Sequence, residues 1–194
     1  MILNFEIFAD SSANLTEKMI EEGNIRVISY VCTCNGQEVI CYKNGKPFSQ
    51  AAKEFYEKMA QGAAVSTSLI SQERIEAEFE PVLKEGKDIL MVTISSQISG
   101  TNHQATLAAE ALGKKYPQRR IYIVDSVNSG FGEGLLVMYA ANLRNMGEDI
   151  DTCRKWLESN RFRLNSYFTV GDLKYLRKGG RISSAAAIAG TILN

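Results

Sequence analysis

Residues Asp88–Thr101, DILMVTISSQISGT, constrain the fold of this chain more than any other stretch. Six apolar or β-branched residues, Ile89–Ile94, run without a break, the pattern of a strand covered on both faces. The run stops at Ser95-Ser96, and Ser99-Gly100-Thr101 opens a long alanine-rich helical stretch. A buried strand, a hydroxyl-rich turn and a helix N-terminus together offer an anion free N–H groups, a positive dipole end and hydroxyl donors. The same layout recurs where Phe5–Ala9 runs into Asp10-Ser11-Ser12, and where Ile121–Val124 runs into Asp125-Ser126 with Ser129-Gly130. Ligands of open α/β sheets bind beyond the carboxyl ends of the strands, so the three polar tips are expected to meet at one place.

The repeated strand–helix alternation predicts an α/β fold built of right-handed βαβ units, with a mostly parallel sheet flanked by helices. Residues 2–9 read as the first strand, followed by a short helix capped from Asn14 or Thr16. Ile25–Thr33 and Gln37–Tyr42 alternate about Asn35-Gly36, a hairpin signal. Ser49 and Ser71 are placed to cap helices, and Pro81 is expected to kink or end the second of these. The segment Gly130–Gly134 leads into a helix over Leu135–Met146, Asp151 caps another running to Asn160, and Leu164–Val170 has the look of a strand.

With 194 residues the chain suits one α/β domain, or one with part of a second. It carries 22 basic and 22 acidic residues, so its formal net charge is zero, which argues against a nucleic-acid partner. No apolar run approaches the roughly 18 residues of a membrane span. The opening MILNFEIFADSS has neither the positive start nor the apolar length of a secretion signal, and a cytoplasmic location is expected. Cys32, Cys34 and Cys41 cluster, but their spacing matches no common zinc pattern; small half-buried side chains are the reading taken.

Catalytic constellations are sparse. The single histidine, His103, lies in the first turn of the helix after the Ser95-Ser96 tip. A small hydrolase or acyl-transfer enzyme using Ser95 or Ser96 with His103, and Asp125 as third member, is the alternative function. Neither serine sits in a Gly-x-Ser-x-Gly elbow, however. Phosphate-loop and dinucleotide fingerprints are absent, although Gly130-Phe131-Gly132-Glu133-Gly134 would let backbone approach a ligand. Metal ligands reduce to Asp10, Asp125 and hydroxyls, so no metal or cofactor is expected. Hydroxyl density remains: Ser11, Ser12, Ser66, Thr67, Ser68, Ser95, Ser96, Ser99, Thr101, Ser126 and Ser129 all fall at element ends. Helix capping accounts for Ser11, Ser71, Ser99 and Ser129. The groups Ser66-Thr67-Ser68 and Ser95-Ser96 exceed what caps require, and uncharged donors suit a carboxylate or phosphate held without a salt bridge.

Taken in order, Asp10-Ser11-Ser12, Thr67-Ser68, Ser95-Ser96-x-x-Ser99-Gly100-Thr101, Asp125-Ser126-x-x-Ser129-Gly130 and Asp172-Leu173-x-Tyr175-Leu176-x-Lys178-Gly179-Gly180-Arg181-Ile182-Ser183 resemble the bacterial DegV family over essentially the whole chain. The resemblance implies a non-catalytic fatty-acid-binding subunit that presents a long-chain acyl carboxylate to a separate fatty acid kinase. It places Thr67, Ser68, Ser95 and Ser96 on the carboxylate, and adds Ser66, Asp10, Ser11, Ser126, Gly130 and Arg181 to the ligand set. The acyl chain would enter an apolar tunnel between two domains.

Two departures from the family stand out. Leu69-Ile70 replaces its usual Gln-Pro, and family members continue well beyond residue 194 into a second domain. That domain holds a carboxylate-contacting histidine, which His103 is not, and a kinase-docking surface. The expected division is therefore 1–164 as an α/β domain and 165–194 as the start of a truncated second one. The apolar AAAIAGTILN end needs cover, by a partner chain, a missing domain or a second copy in a dimer; peripheral membrane contact is also allowed.

Overall fold

The computed structural model describes residues 5–40, 42–43, 46–47, 49–183, 186 and 190. Cys41, the Asn44-Gly45 turn and, apart from Ala186 and Gly190, the apolar segment 185–194 lie outside these residues. Strand β1 (Phe5–Asp10) is followed by a 3-10 turn (Ser11–Ala13), α1 (Glu17–Gly23), β2 (Ile25–Ile28), β3 (Val31–Cys34) and β4 (Gln37–Ile40). The short pieces β5 (Tyr42–Lys43) and β6 (Lys46–Pro47) precede α2 (Ser49–Ala60), β7 (Val65–Ser68) and α3 (Gln72–Lys84). Then come β8 (Asp88–Thr93), α4 (Thr101–Lys115), β9 (Ile121–Asp125), α5 (Phe131–Asn145), α6 (Ile150–Asn160), a 3-10 turn (Arg161–Arg163) and α7 (Leu173–Lys178).

The main sheet has the order β2-β1-β8-β9, and all three pairings are parallel. The fully buried central strands β1 and β8 follow from cover on both faces. Ile7, Ala9, Leu90 and Val92 turn towards α1, α5 and α6, where they pack with Ile20, Leu136, Val137, Ala140, Ile150 and Leu157. The alternate residues Phe8, Ile89 and Met91 turn the other way and pack with Ile75, Phe79, Val82 of α3 and Ala105, Ala108, Leu112 of α4. The result is a three-layer α/β/α unit. From β1 the chain crosses to β2 on one side, whereas β8 lies on the other, which puts the topological switch point between β1 and β8.

A second sheet, order β4-β3-β7, is antiparallel. The extended run Ile25–Thr33 is therefore two strands in two sheets. Pairing with β1 ends at Ile28, opposite Asp10, and Tyr30 N–H donates instead to Ser11 Oγ (2.9 Å). The Asn35-Gly36 turn joins β3 to β4 with both residues at positive φ, 51° and 79°, as a two-residue hairpin demands.

Other expectations are corrected at particular residues. Helix α3 continues through Pro81 to Lys84; Pro81 and Ala77 lie on its exposed side, where the carbonyl that proline leaves unpaired is open to solvent. Asp149, not Asp151, caps α6 by accepting from Thr152 N–H (2.7 Å); Asp151 instead binds Arg120 and the Tyr122 hydroxyl, both at 2.7 Å. Leu164–Val170 is not a strand, because no described strand lies beside it to share a ladder. The α5 helix begins at Phe131, so Gly132 and Gly134 are helical. A Cβ on Gly134 would stand 2.4 Å from the Ala13 carbonyl oxygen, and this close approach seats α5 on the turn that follows β1.

At the far end of α5, the buried Arg144 donates to the carbonyls of Phe5 (3.4 Å) and Asn24 (3.1 Å), and also to that of Gly23, closing the C-terminus of α1. Gly134→Ala is expected to destabilise the protein by about 1–3 kcal/mol through overpacking. Gly113→Ala, with open space around a glycine in the last turn of α4, should instead stabilise by up to about 0.5–1 kcal/mol. Urea midpoints measure both.

Candidate functional site

Asp10 ends β1 and is fully buried. Its Oδ1 accepts from the N–H (2.9 Å) and hydroxyl (2.6 Å) of Ser12, and its Oδ2 accepts from Ile94 N–H (2.8 Å), the first residue beyond β8. One carboxylate thus shapes its own turn and pins the neighbouring strand tip across the switch point. The β8 and β9 tips are joined in turn: Ser95 N–H donates to Asn128 O (2.8 Å), Ser126 N–H to Thr93 O (3.1 Å), and Ser96 N–H to Asp125 Oδ1 (3.2 Å). The expectation that the three polar tips share one edge of the sheet holds, since β1, β8 and β9 are parallel neighbours.

Burial sorts the sequence-designated residues into braces and free donors. Ser11 is buried and accepts from Tyr30 N–H, while Tyr30 Oη donates to Thr101 Oγ1 (2.9 Å). Ser95 is buried with its hydroxyl accepting from Gln97 N–H (3.2 Å). Ser126 is buried, donating to Asn128 O (3.0 Å) and accepting from Asn128 N–H (3.1 Å), so its hydroxyl is spent within its own turn. Asp10, Ser11, Ser95 and Ser126 therefore hold the frame.

Ser96, by contrast, is exposed, and its anchored backbone leaves the hydroxyl outward. Ser66, Thr67 and Ser68 are exposed on β7. Thr67 pairs with Cys32 and shares its face, whereas Ser66 and Ser68 take the other face, where Ser66 Oγ lies 2.6 Å from Thr33 Oγ1. The Thr67-Ser68 pair is thus divided between two faces.

β7 is tied to the α4 N-terminus immediately after these hydroxyls. Leu69 Cδ2 lies 3.1 Å from where a Gly100 Cβ would be, Ile70 is buried beside Ala105, and Gln72 N–H donates to Gln104 Oε1 (3.2 Å). The Leu69-Ile70 dipeptide is thus an apolar anchor.

Of the four serines assigned to caps, Ser71 accepts from Arg74 N–H (3.4 Å) at the start of α3, and Ser99 Oγ accepts from Thr101 N–H (3.3 Å), the first residue of α4. Asp10 caps the first 3-10 turn in place of Ser11. Gly100 and Gly130 stand at the N-caps of α4 and α5 without side-chain bonds; Gly130 has φ 59° and ψ −131°, a conformation open to glycine, and Ser129 is exposed. Arg181 is exposed and folds back on the Gly179 carbonyl after α7. His103 is exposed, and no hydrogen bond among the described residues joins it to Ser95 or Ser96.

Two buried residues and one half-buried residue escaped the sequence reading. Asn128 locks the β9 turn and accepts from Ser166 Oγ (2.6 Å), which draws the chain after α6 to this edge. Tyr30 links Ser11 to Thr101, and burial beside Asp10 pushes its phenol above its ordinary value. Glu133 is completely buried on α5 and bonds through Oε2 to the Ser12 hydroxyl. Desolvation, then the neighbouring Asp10 charge, raises Glu133 well above the usual carboxyl range, and burial raises Asp10 too despite its hydrogen bonds. Glu133 stands in the apolar stripe Glu133, Leu136, Val137, Ala140, Ala141, Arg144; an acid at a core-facing helical spacing was the available signal.

These features define a three-layer α/β domain whose candidate site lies at the cross-braced strand tips of a parallel sheet. The DegV family model, described as an uncharacterised protein family, matches residues 4–194, and the chain belongs to that family. A DegV domain-containing protein of Clostridium perfringens is 38% identical over 190 residues, covering 98% of this chain and 64% of the relative. One from Streptococcus pyogenes is 31% identical, covering 98% and 65%. The chain therefore spans less than two-thirds of these curated relatives.

Among solved structures, a fatty-acid-binding DegV family protein from Thermus thermophilus matches with 27% identity and TM-score 0.80, over 98% of this chain and 65% of that one. DegV of Bacillus subtilis, described as a fatty acid binding protein, matches with 27% identity and TM-score 0.80, over 97% and 64%. Among the described residues no helix is long and apolar enough to cross a membrane.

Asp10→Ala strands the N–H groups of Ser12 and Ile94, and a loss of about 3 kcal/mol is expected at roughly 1–3 kcal/mol per buried unpaired group. Ser129→Ala, at an exposed hydroxyl, should stay within about 0.5 kcal/mol of the parent. Denaturant titration distinguishes them.

Proposed function

We propose that this chain binds a long-chain fatty acid and holds its carboxylate on neutral donors at the strand tips, with Ser96 and Thr67 as leading contacts. The observation that carries the reading is the sorting just described: buried hydroxyls are consumed in bracing, while Ser96 and Thr67 remain exposed on backbone anchored to the switch point and to α4. The likeness to the Thermus and Bacillus fatty-acid-binding proteins supports the ligand class. An apolar surface adjoins the polar tips. Phe131 is 84% exposed and Tyr167 96%, with Val127, Phe162 and Phe168 also exposed, and Ser166 ties this segment to Asn128. Exposed apolar side chains of this kind suit an acyl chain, or the second unit that residues 165–194 would begin.

In its finer form the reading makes the protein a cytoplasmic, non-catalytic carrier that presents the carboxylate to a separate fatty acid kinase chain. Ser68, Ser66, Gly130 and Arg181 would complete the ligand shell, with no cofactor, and a dimer or membrane contact would form through the apolar C-terminal end.

Native mass spectrometry after gentle purification is expected to show a co-purified acid, or uptake of added oleate. Thr67→Val and Ser96→Ala should each weaken oleate binding about fivefold, the worth of one hydrogen bond at about 1 kcal/mol. Apo protein that takes up no oleate would overturn the proposal.

A further inference from the structure

The Ser12 hydroxyl stands between two carboxyl groups. It is 2.6 Å from Asp10 Oδ1 and hydrogen-bonded to Glu133 Oε2. A hydroxyl has one proton to give, so it can donate to only one of these oxygens and must accept from the other. The donor has to be the carboxyl that carries its own proton. Asp10 is the anion of the pair, because each of its oxygens already accepts a backbone N–H, from Ser12 and from Ile94. Glu133 receives no N–H or cation, is fully buried, and its second oxygen Oε1 has no partner among the described residues. An unpaired acid carbonyl costs far less in such a place than an unpaired anionic oxygen.

We infer that Glu133 is carried as an uncharged acid which donates to Ser12 Oγ, so that hydrogen bonds run one way, Glu133 to Ser12 to Asp10, beneath the strand tips. Glu133 is thereby a positioning residue: it orients Ser12, Ser12 occupies Asp10 Oδ1, and Asp10 Oδ2 holds Ile94 and the Ser95-Ser96 turn. The charged and titratable groups facing this cluster are Asp10 from β1 and the Tyr30 phenol from the segment after β2; both disfavour ionisation of Glu133 or respond to it. The basic and thiol groups packed on α5, Arg144 and Cys153, sit at its opposite end. Ionising Glu133 would break the chain at Ser12 and put a second negative charge under a bound carboxylate. The consequence for ligand rests on the fatty-acid reading; the protonation state does not.

Glu133 takes up a proton on folding, so its contribution is complete below the unfolded value of 4.5 and is lost as pH rises towards the raised folded value. Over that interval the folding constant of the parent should fall up to tenfold per pH unit relative to Glu133→Gln, whose amide N–H can still donate to Ser12. The direct readout is infrared spectroscopy of the full chain at pH 7. A protonated-acid carbonyl band is expected, shifting on 13C-glutamate labelling of the unmutated protein and missing in Glu133→Gln. Absence of a glutamate acid band overturns the inference, and so does an equal pH slope of stability in the two proteins.

For the ligand, oleate affinity should fall as the band titrates in the parent and stay level in Glu133→Gln; parallel pH profiles overturn the coupling. No oleate binding at any pH counts against the fatty-acid reading, while the band alone then decides the state of Glu133.

Discussion

The Asp10 carboxylate joins what the sheet alone leaves apart. Parallel strands bring β1 and β8 side by side, but their ladder ends before the functional turns begin, with Phe5 to Ala9 paired to Asp88 to Val92. Beyond that point the backbone needs other acceptors. Asp10 supplies them to Ser12 on one side and Ile94 on the other, at the switch point where the two chain directions diverge. Asp125 and Asn128 repeat the device between β8 and β9. Side chains that look like ligand donors in the sequence thus become the frame that aims the remaining ones.

Much of that frame was legible. The largely apolar runs at Phe5–Ala9 and Ile89–Ile94 read as strands buried on both faces, and hydroxyls at their ends mark the candidate edge. What the sequence concealed was the division of labour among the hydroxyls. Ser95 and Ser96 are adjacent and chemically identical, yet one is buried on Gln97 N–H and the other faces outward, a distinction made by tertiary packing. Ser126 has the right type and position but spends its hydroxyl on Asn128. The extended pattern of Ile25–Thr33 could not reveal that Tyr30 breaks away to Ser11 and sends the chain into a second sheet. Nor could alternation at Leu164–Val170 supply the missing ladder partner.

The electrostatics follow from the same economy. Two buried carboxyls, Asp10 and Glu133, lie beneath the strand tips, where free negative charge would repel the acid group proposed to bind there. Asp10 is neutralised in effect by the N–H groups it accepts, and Glu133 by its proton. Hydroxyls and the N-terminal end of α4 remain as the outward field, which favours an anion, while the half-buried Arg161 spends an N–H on the Asp125 carbonyl at the β9 tip (2.8 Å). Exposed Phe131 and Tyr167 lie on the segments that flank the β9 turn, where Ser166 bonds Asn128.

The central claim concerns where an acid group sits. A crystal structure of the protein grown with oleate tests it most directly. The account predicts the carboxylate within hydrogen-bonding distance of the Ser96 and Thr67 hydroxyls, above the Asp10 brace, with the hydrocarbon leading away over apolar surface. A carboxylate bound elsewhere, or hydrocarbon rather than the acid group at the strand tips, would contradict it.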